Sequence, residues 1–283
     1  MPPGASIRSI MTQLLSYWPL VLGLSVTGMV SGVFAGLLGV GGGTIIVPAL
    51  AFAFAALNIG DDVAQHVAVA SSLAIIIPTG IMSARAHNKR GAVDAEVLKL
   101  WAPFVLGGCL IGGLLARYFT GDALRIVFGI FAFIIALNIV TPFQKQLMGH
   151  LKGSPLTHRT AASIVGFLSA LMGIGGGSFS VPTIAAFGET MHRAVGTGAA
   201  IGVFIAIGGT IGFIVSGWST PGLPPLSVGY VNLVALALVG GFSVLTAPLG
   251  AALAHRLNQR ALKYLFAIFL LVVGANMIWK ALA

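Results

Sequence analysis

Ten apolar runs follow one another along this chain with almost no charge inside them. They fall roughly at 14–40, 44–57, 63–84, 97–116 and 123–142, and again at 161–174, 178–188, 194–216, 228–254 and 261–279. In lipid every backbone amide and carbonyl must be bonded within the protein, and helices meet that demand segment by segment. The runs therefore predict an all-α polytopic membrane protein. Composition agrees: 7% of the residues are charged and the mean hydropathy is +1.02, whereas a soluble domain carries roughly a quarter charged residues.

The net charge of +9 would suggest nucleic acid in a soluble chain. Here the basic residues stand between apolar runs, where they set orientation against the membrane, and nucleic acid is not expected as a partner. Arg85, Lys89, Arg90 and Lys99 mark one cytoplasmic loop, Lys145 to Arg159 a second, and Arg256, Arg260 and Lys263 a third. The uncharged loop Gly217 to Gly229 faces outward, and both termini come out periplasmic. The expected organisation is an N-terminal tail (1–13), a first transmembrane repeat (14–143), a cytoplasmic linker (144–159) and a second repeat (160–283). The first half then begins outside and the second inside, so the two repeats, of about five helical segments each, are inverted.

The repeat is legible in three places. Gly39-Val40-Gly41-Gly42-Gly43-Thr44 through Val47-Pro48 returns as Gly173-Ile174-Gly175-Gly176-Gly177-Ser178 through Val181-Pro182. His66-x-Ala68-Val69 returns as His192-x-Ala194-Val195. Ala123-Leu124-Arg125 through Asn138 returns as Ala261-Leu262-Lys263 through Asn276. Repeats of this kind characterise secondary transporters. Runs 161–174 and 178–188 span only ~21 Å and ~17 Å as helices, against a hydrocarbon core near 30 Å. Each glycine stretch is therefore expected to be the turn of a broken, re-entrant helix pair.

Three glycines before Thr44 or Ser178 leave backbone amides open at a helix start, and such ends attract anions. Gly41, Gly42, Gly43, Thr44, Gly175, Gly176, Gly177 and Ser178 are thus candidate substrate ligands, with the tight packing of helices on glycine as the plain alternative. Ser71, Ser72 and Thr197 are candidate hydroxyl donors to the same anion. His66 and His192 lie near the membrane surfaces and are read as interfacial caps or gating and proton-linked groups. Asn138 and Asn276, deep in the last helix of each half, are candidates for interhelical bonding or pore lining. The six acids, Asp61, Asp62, Asp94, Glu96, Asp122 and Glu189, fall at segment ends or in loops. The carboxylate that cation pumps keep inside the membrane is missing. No metal-ligand spacing, cofactor motif or catalytic nucleophile motif stands out, and Cys109 is alone, so enzymatic activity is not expected.

At the doubled glycine motif, and at Ala68-Val69-Ala70-Ser71-Ser72-Leu73 and Ala194-Val195-Gly196-Thr197-Gly198, the chain resembles the TauE/SafE sulfite-exporter family of bacterial membrane proteins. The second pair is similar to that family's Ala-x-Gly-Thr-Ser-Leu signature. Ala70 replaces its glycine in the first copy; Gly198 and Ala199 replace serine and leucine in the second. The resemblance implies transport of sulfite, a sulfonate such as sulfoacetate, or a related small sulfur-containing anion across the bacterial inner membrane. A passive anion channel or a non-transporting membrane scaffold are the alternatives.

Overall fold

The computed structural model describes residues 7–38, 42–56, 61–141, 154–254 and 259–283. Ten α-helices lie among them: α1 (Ile7–Leu38), α2 (Gly43–Ala56), α3 (Asp61–Lys89), α4 (Ala95–Leu115), α5 (Gly121–Val140), α6 (Pro155–Met172), α7 (Gly176–Ala186), α8 (Met191–Ser216), α9 (Leu233–Ala254) and α10 (Gln259–Leu282). Six of these, α3 to α5 and α8 to α10, are long and apolar enough to cross a membrane. The chain is an all-α polytopic membrane protein. A short antiparallel ladder, β1 (Ser227–Val228) with β2 (Val231–Asn232), sits in the loop before α9.

Local chemistry fixes the helix starts. Asp94 caps α4 by accepting from the amides of Glu96 and Val97, and Thr120 and Thr190 cap α5 and α8. Ser154 caps α6 with Pro155 in its first turn. This capped start lies inside the segment expected to be a linker, which is therefore shorter than 144–159 by its last five residues. The polar His158 and Arg159 hid a helix whose stop and start signals were otherwise present.

The two longest spans, α3 and α8, cross antiparallel at the centre, with Leu73 against Gly209 and Gly80 against Val203. Helices from the two halves pack in reciprocal pairs around them: α1 on α9, α6 on α4, and α5 on α10. Small residues allow the close approach. On α4, Gly108 and Gly112 lie against the Ser163 and Phe167 carbonyls of α6, and Gly113 lies against Gly209 and Gly212 of α8. Gly32 and Gly250 do the same between α1 and α9.

The match is not complete. While α4 packs closely along α8, the corresponding pair α3 and α9 diverges around a cleft of about 860 Å³. Its walls, including Ala74, Ile77 and Pro78 of α3 and Leu236, Gly240 and Val244 of α9, are apolar.

Candidate functional site

The second glycine stretch forms a hairpin that turns back inside the bundle. α6 ends in a left-handed Gly173 (φ +68°), whose amide bonds the Ala170 carbonyl while Ile174 bonds that of Ser169. This closes the helix as a Schellman motif, which a side chain at 173 would strain. α7 then returns: Phe187, just past its end, stacks on His158 in the first turn of α6, with ring centroids 3.9 Å apart. Trp101 of α4 donates from Nε1 to His158 Nδ1 at 3.1 Å and closes the same mouth. Burial lowers the His158 pKa from its usual value, which suits a ring whose Nδ1 must stay unprotonated to accept. The turn itself meets α3 near its middle, where Ser72 Oγ donates to the Gly173 carbonyl at 2.8 Å. The second half thus pairs two short helices, α6 and α7, in a hairpin about the glycine turn.

α2 starts at the same place. A methyl group on Gly43 would stand 2.7 Å from the Gly173 carbonyl oxygen and 3.0 Å from Ile174 Cα. Gly42, with φ +75°, accepts from the amides of Ile45 and Ile46 through its carbonyl, at 3.0 Å each. The start of α2 therefore lies against the turn that leads into α7, and Ile76 of α3 faces both Gly43 and Gly175. Neither α2 nor α7 contains a charged residue, so the local field comes from the helix ends, each equivalent to roughly half a positive charge.

The donors at these two helix starts are open. The amides of Gly43, Thr44, Gly176, Gly177 and Ser178 make no hydrogen bond to any described residue, and Gly175 gives α7 no side-chain cap. Ser178 Oγ is out of reach of solvent and without a partner, as are Ser169 Oγ and Ser180 Oγ in the same hairpin. A buried hydroxyl left unbonded costs about 1–3 kcal/mol, and three of them lie in this one hairpin.

Of the residues singled out from sequence, Gly43, between Gly42 and Thr44, lies against the Gly173–Ile174 turn that leads into Gly175, Gly176, Gly177 and Ser178. Gly41 lies outside the described residues. Gly176 also does plain packing work, because a Cβ there would collide with the Gly198 carbonyl and lie 2.7 Å from the Gly202 amide of α8. The hydroxyls expected to complete the shell are engaged elsewhere. Ser72 holds the turn, Ser71 Oγ accepts from the Asn232 amide, and Thr197 Oγ1 accepts from the Asp94 amide, the last two at 2.9 Å. Gly198 has no serine side chain for a steric reason: its Cβ would lie 2.7 Å from Val181 Cγ2 of α7.

His66 is buried, with Nε2 2.9 Å from the Ala116 carbonyl and its ring stacked on Tyr230 at 4.9 Å. His192 is exposed at the start of α8. Asn138 is half-buried with an unpartnered Oδ1, whereas Asn276 is exposed on α10. The pair is therefore not equivalent. Sequence reading passed over Gln65, which is wholly buried on α3 with neither amide atom bonded. A polar residue beside His66 was the available signal. It also passed over Asn232, which caps α9 by accepting from the Ala235 amide.

The sequence profile of the sulfite exporter TauE/SafE family matches residues 24–277. The chain belongs to that family. Among curated relatives, a probable membrane transporter protein of Haemophilus influenzae is 33% identical over 253 residues, covering 89% of this chain and 96% of its own. The probable membrane transporter protein YunE of Bacillus subtilis is 31% identical over 282 residues, covering 92% and 97%. No solved structure matches the chain. This TauE/SafE member is a membrane transporter by family, a class distinct from enzymes.

Proposed function

We propose that this protein is a secondary transporter for a small sulfur-containing oxyanion, sulfite or a sulfonate such as sulfoacetate, held where α2 and α7 begin. The observation that carries the reading is the approach of the start of α2 to the turn before α7, two uncharged helices with unbonded first-turn amides and an unbonded Ser178 hydroxyl. One helix end contributes roughly 0.3–2 kcal/mol toward an anion, and each hydrogen bond to a charged group about 1.5–3 kcal/mol. Two ends and several donors together exceed the dehydration cost by only a small margin, which gives the weak, releasable binding that transport needs. The family name supports sulfite as the parent substrate.

The reciprocal helix pairs support two inverted repeats, and alternating access then follows from one hairpin-bearing bundle rocking on the other. Placement in the bacterial inner membrane with both termini periplasmic rests on the distribution of lysine and arginine. Hydrogen-bonded contacts at both ends of α3 and α8 favour a gated transporter over an open channel.

The test is flux in proteoliposomes combined with thermal shifts against sulfite, thiosulfate, sulfoacetate, sulfate, taurine and acetate. Saturable flux and selective stabilisation by sulfur oxyanions are expected. Stabilisation by none of them, with no flux from correctly inserted protein, would overturn the substrate reading.

A further inference from the structure

Two hydrogen bonds in this fold are copies of each other. At one end of the bundle the Asn232 amide donates to Ser71 Oγ, and at the other the Asp94 amide donates to Thr197 Oγ1, both at 2.9 Å. Ser71 and Thr197 stand at the sequence offset that relates His66 to His192. Asp94 and Asn232 stand at the offset that relates Ala123 to Ala261. Asp94 and Asn232 also do the same local job, since each caps the span that follows it, α4 or α9, through its side-chain oxygen. Both hydroxyl-bearing residues are wholly buried.

Their placement ties them to the glycine turns. α3 and α8 are antiparallel, so the two bonds close opposite ends of the central pair. Ser71 is followed by Ser72, which holds the Gly173 carbonyl, and Thr197 is followed by Gly198, on which Gly176 packs. Any shift of the second hairpin along α3 or α8 therefore reaches the neighbouring bond within one residue. Each bond also has its own reinforcement. Tyr230, two residues before Asn232, stacks on His66 and meets the Thr220 hydroxyl at 3.1 Å. At the other end Arg193 pairs with the Asp94 carboxylate at 3.0 Å.

We infer that Ser71–Asn232 and Thr197–Asp94 are matched gates, one on each side of the anion site, released one at a time. The inference rests on the transport reading. Ser71 and Thr197 then act by holding α9 and α4 closed over the site, and the substrate contacts are left to the helix ends. The ion pair makes the Asp94 gate the more salt-sensitive of the two, because it is partly exposed and screened.

Accessibility tests this without any substrate. Ala68 and Ala194 are wholly buried and each lies one helical turn ahead of its gate hydroxyl, so Ala68→Cys and Ala194→Cys report the two ends separately. Cys109, buried and donating to the Gly166 carbonyl, stays as an internal unlabelled control. The full chain in proteoliposomes is treated with a membrane-impermeant maleimide from either side. Ser71→Ala is expected to raise labelling at 68 and not at 194, and Thr197→Ala the reverse. The rise is about fivefold, a factor of ten being equivalent to ~1.4 kcal/mol. Ser71→Thr and Thr197→Ser should restore protection. Asp94→Asn keeps the cap and the amide donor but loses the ion pair, and should raise labelling at 194 about twofold, less so in high salt. Where an alanine variant does not insert, Ser71→Cys cannot serve beside a thiol reporter, so Ser71→Val and Thr197→Val replace it. Unchanged labelling, or either variant exposing both reporters alike, would overturn the gates. If the gates respond while no sulfur anion is carried, only the substrate reading falls; stabilisation by sulfite with unmoved labelling removes the gates alone.

Discussion

Ser178→Ala separates a binding role from a structural one by sign. Ser178 Oγ is out of solvent and unbonded, so the hydroxyl imposes a burial penalty of about 1–3 kcal/mol that no protein partner offsets. Removing it should leave thermal stability unchanged or raise it. The same hydroxyl bonded to an oxyanion would contribute about 1.5–3 kcal/mol, so affinity should drop at least tenfold, with KM rising accordingly. Ser72→Ala is the control. Its hydroxyl reaches the Gly173 carbonyl at 2.8 Å in a buried setting, and its loss should lower stability by about 1–3 kcal/mol. Thermal unfolding in detergent without anion, and initial flux of labelled sulfite in proteoliposomes, read the two quantities. A Ser178→Ala protein that unfolds earlier and transports with unchanged KM would refute the reasoning, because the hydroxyl would then be structural.

Other outcomes follow from the same geometry. Gly43→Ala places a methyl 2.7 Å from the Gly173 carbonyl oxygen; it should cut flux strongly while the protein still inserts, and wild-type flux would show the turns do not need to touch. Acidification should loosen the mouth of the second hairpin. The His158 pKa is lowered in the fold, so its contribution is present above the unfolded value near 6.5 and is lost as pH falls toward the folded value. Thermal stability should decline below about pH 6.5, and His158→Asn should flatten that part of the profile. Gly113→Val, facing Gly209 and Gly212 at about 3 Å, should destabilise the protein by wedging α4 from α8, as unfolding in detergent would register.

Much of the fold was legible because the doubled glycine stretch fixes both the repeat and the short helices beside it. Run length alone separated α6 and α7 from the spans, and the structure returns α7 to the mouth where α6 starts. The roles of Ser71, Ser72 and Thr197 were not legible. A hydroxyl on an apolar helix has many potential partners, and only packing decided that Ser72 meets a carbonyl while Ser71 and Thr197 receive amides. Asp94 and Asn232 could have been paired from their common offset, but one is an acid and the other an amide, which masked their shared capping position. Gly198 was noticed as a departure from the family signature. Its reason, the approach of Val181 and Gly176, exists only once α7 lies on α8.

The unmatched contact between α3 and α9 gives the bundle a preferred direction of yielding. α4 is wedged along both α6 and α8 with glycine at each crossing, so its gate is the stiffer of the two. α9 is fastened to α1 but stands off from α3 across about 860 Å³ of greasy space. Because that hollow is lined almost wholly by apolar side chains, widening it uncovers little polar surface, whereas parting α4 from α6 or α8 would uncover the backbone carbonyls now covered by glycine.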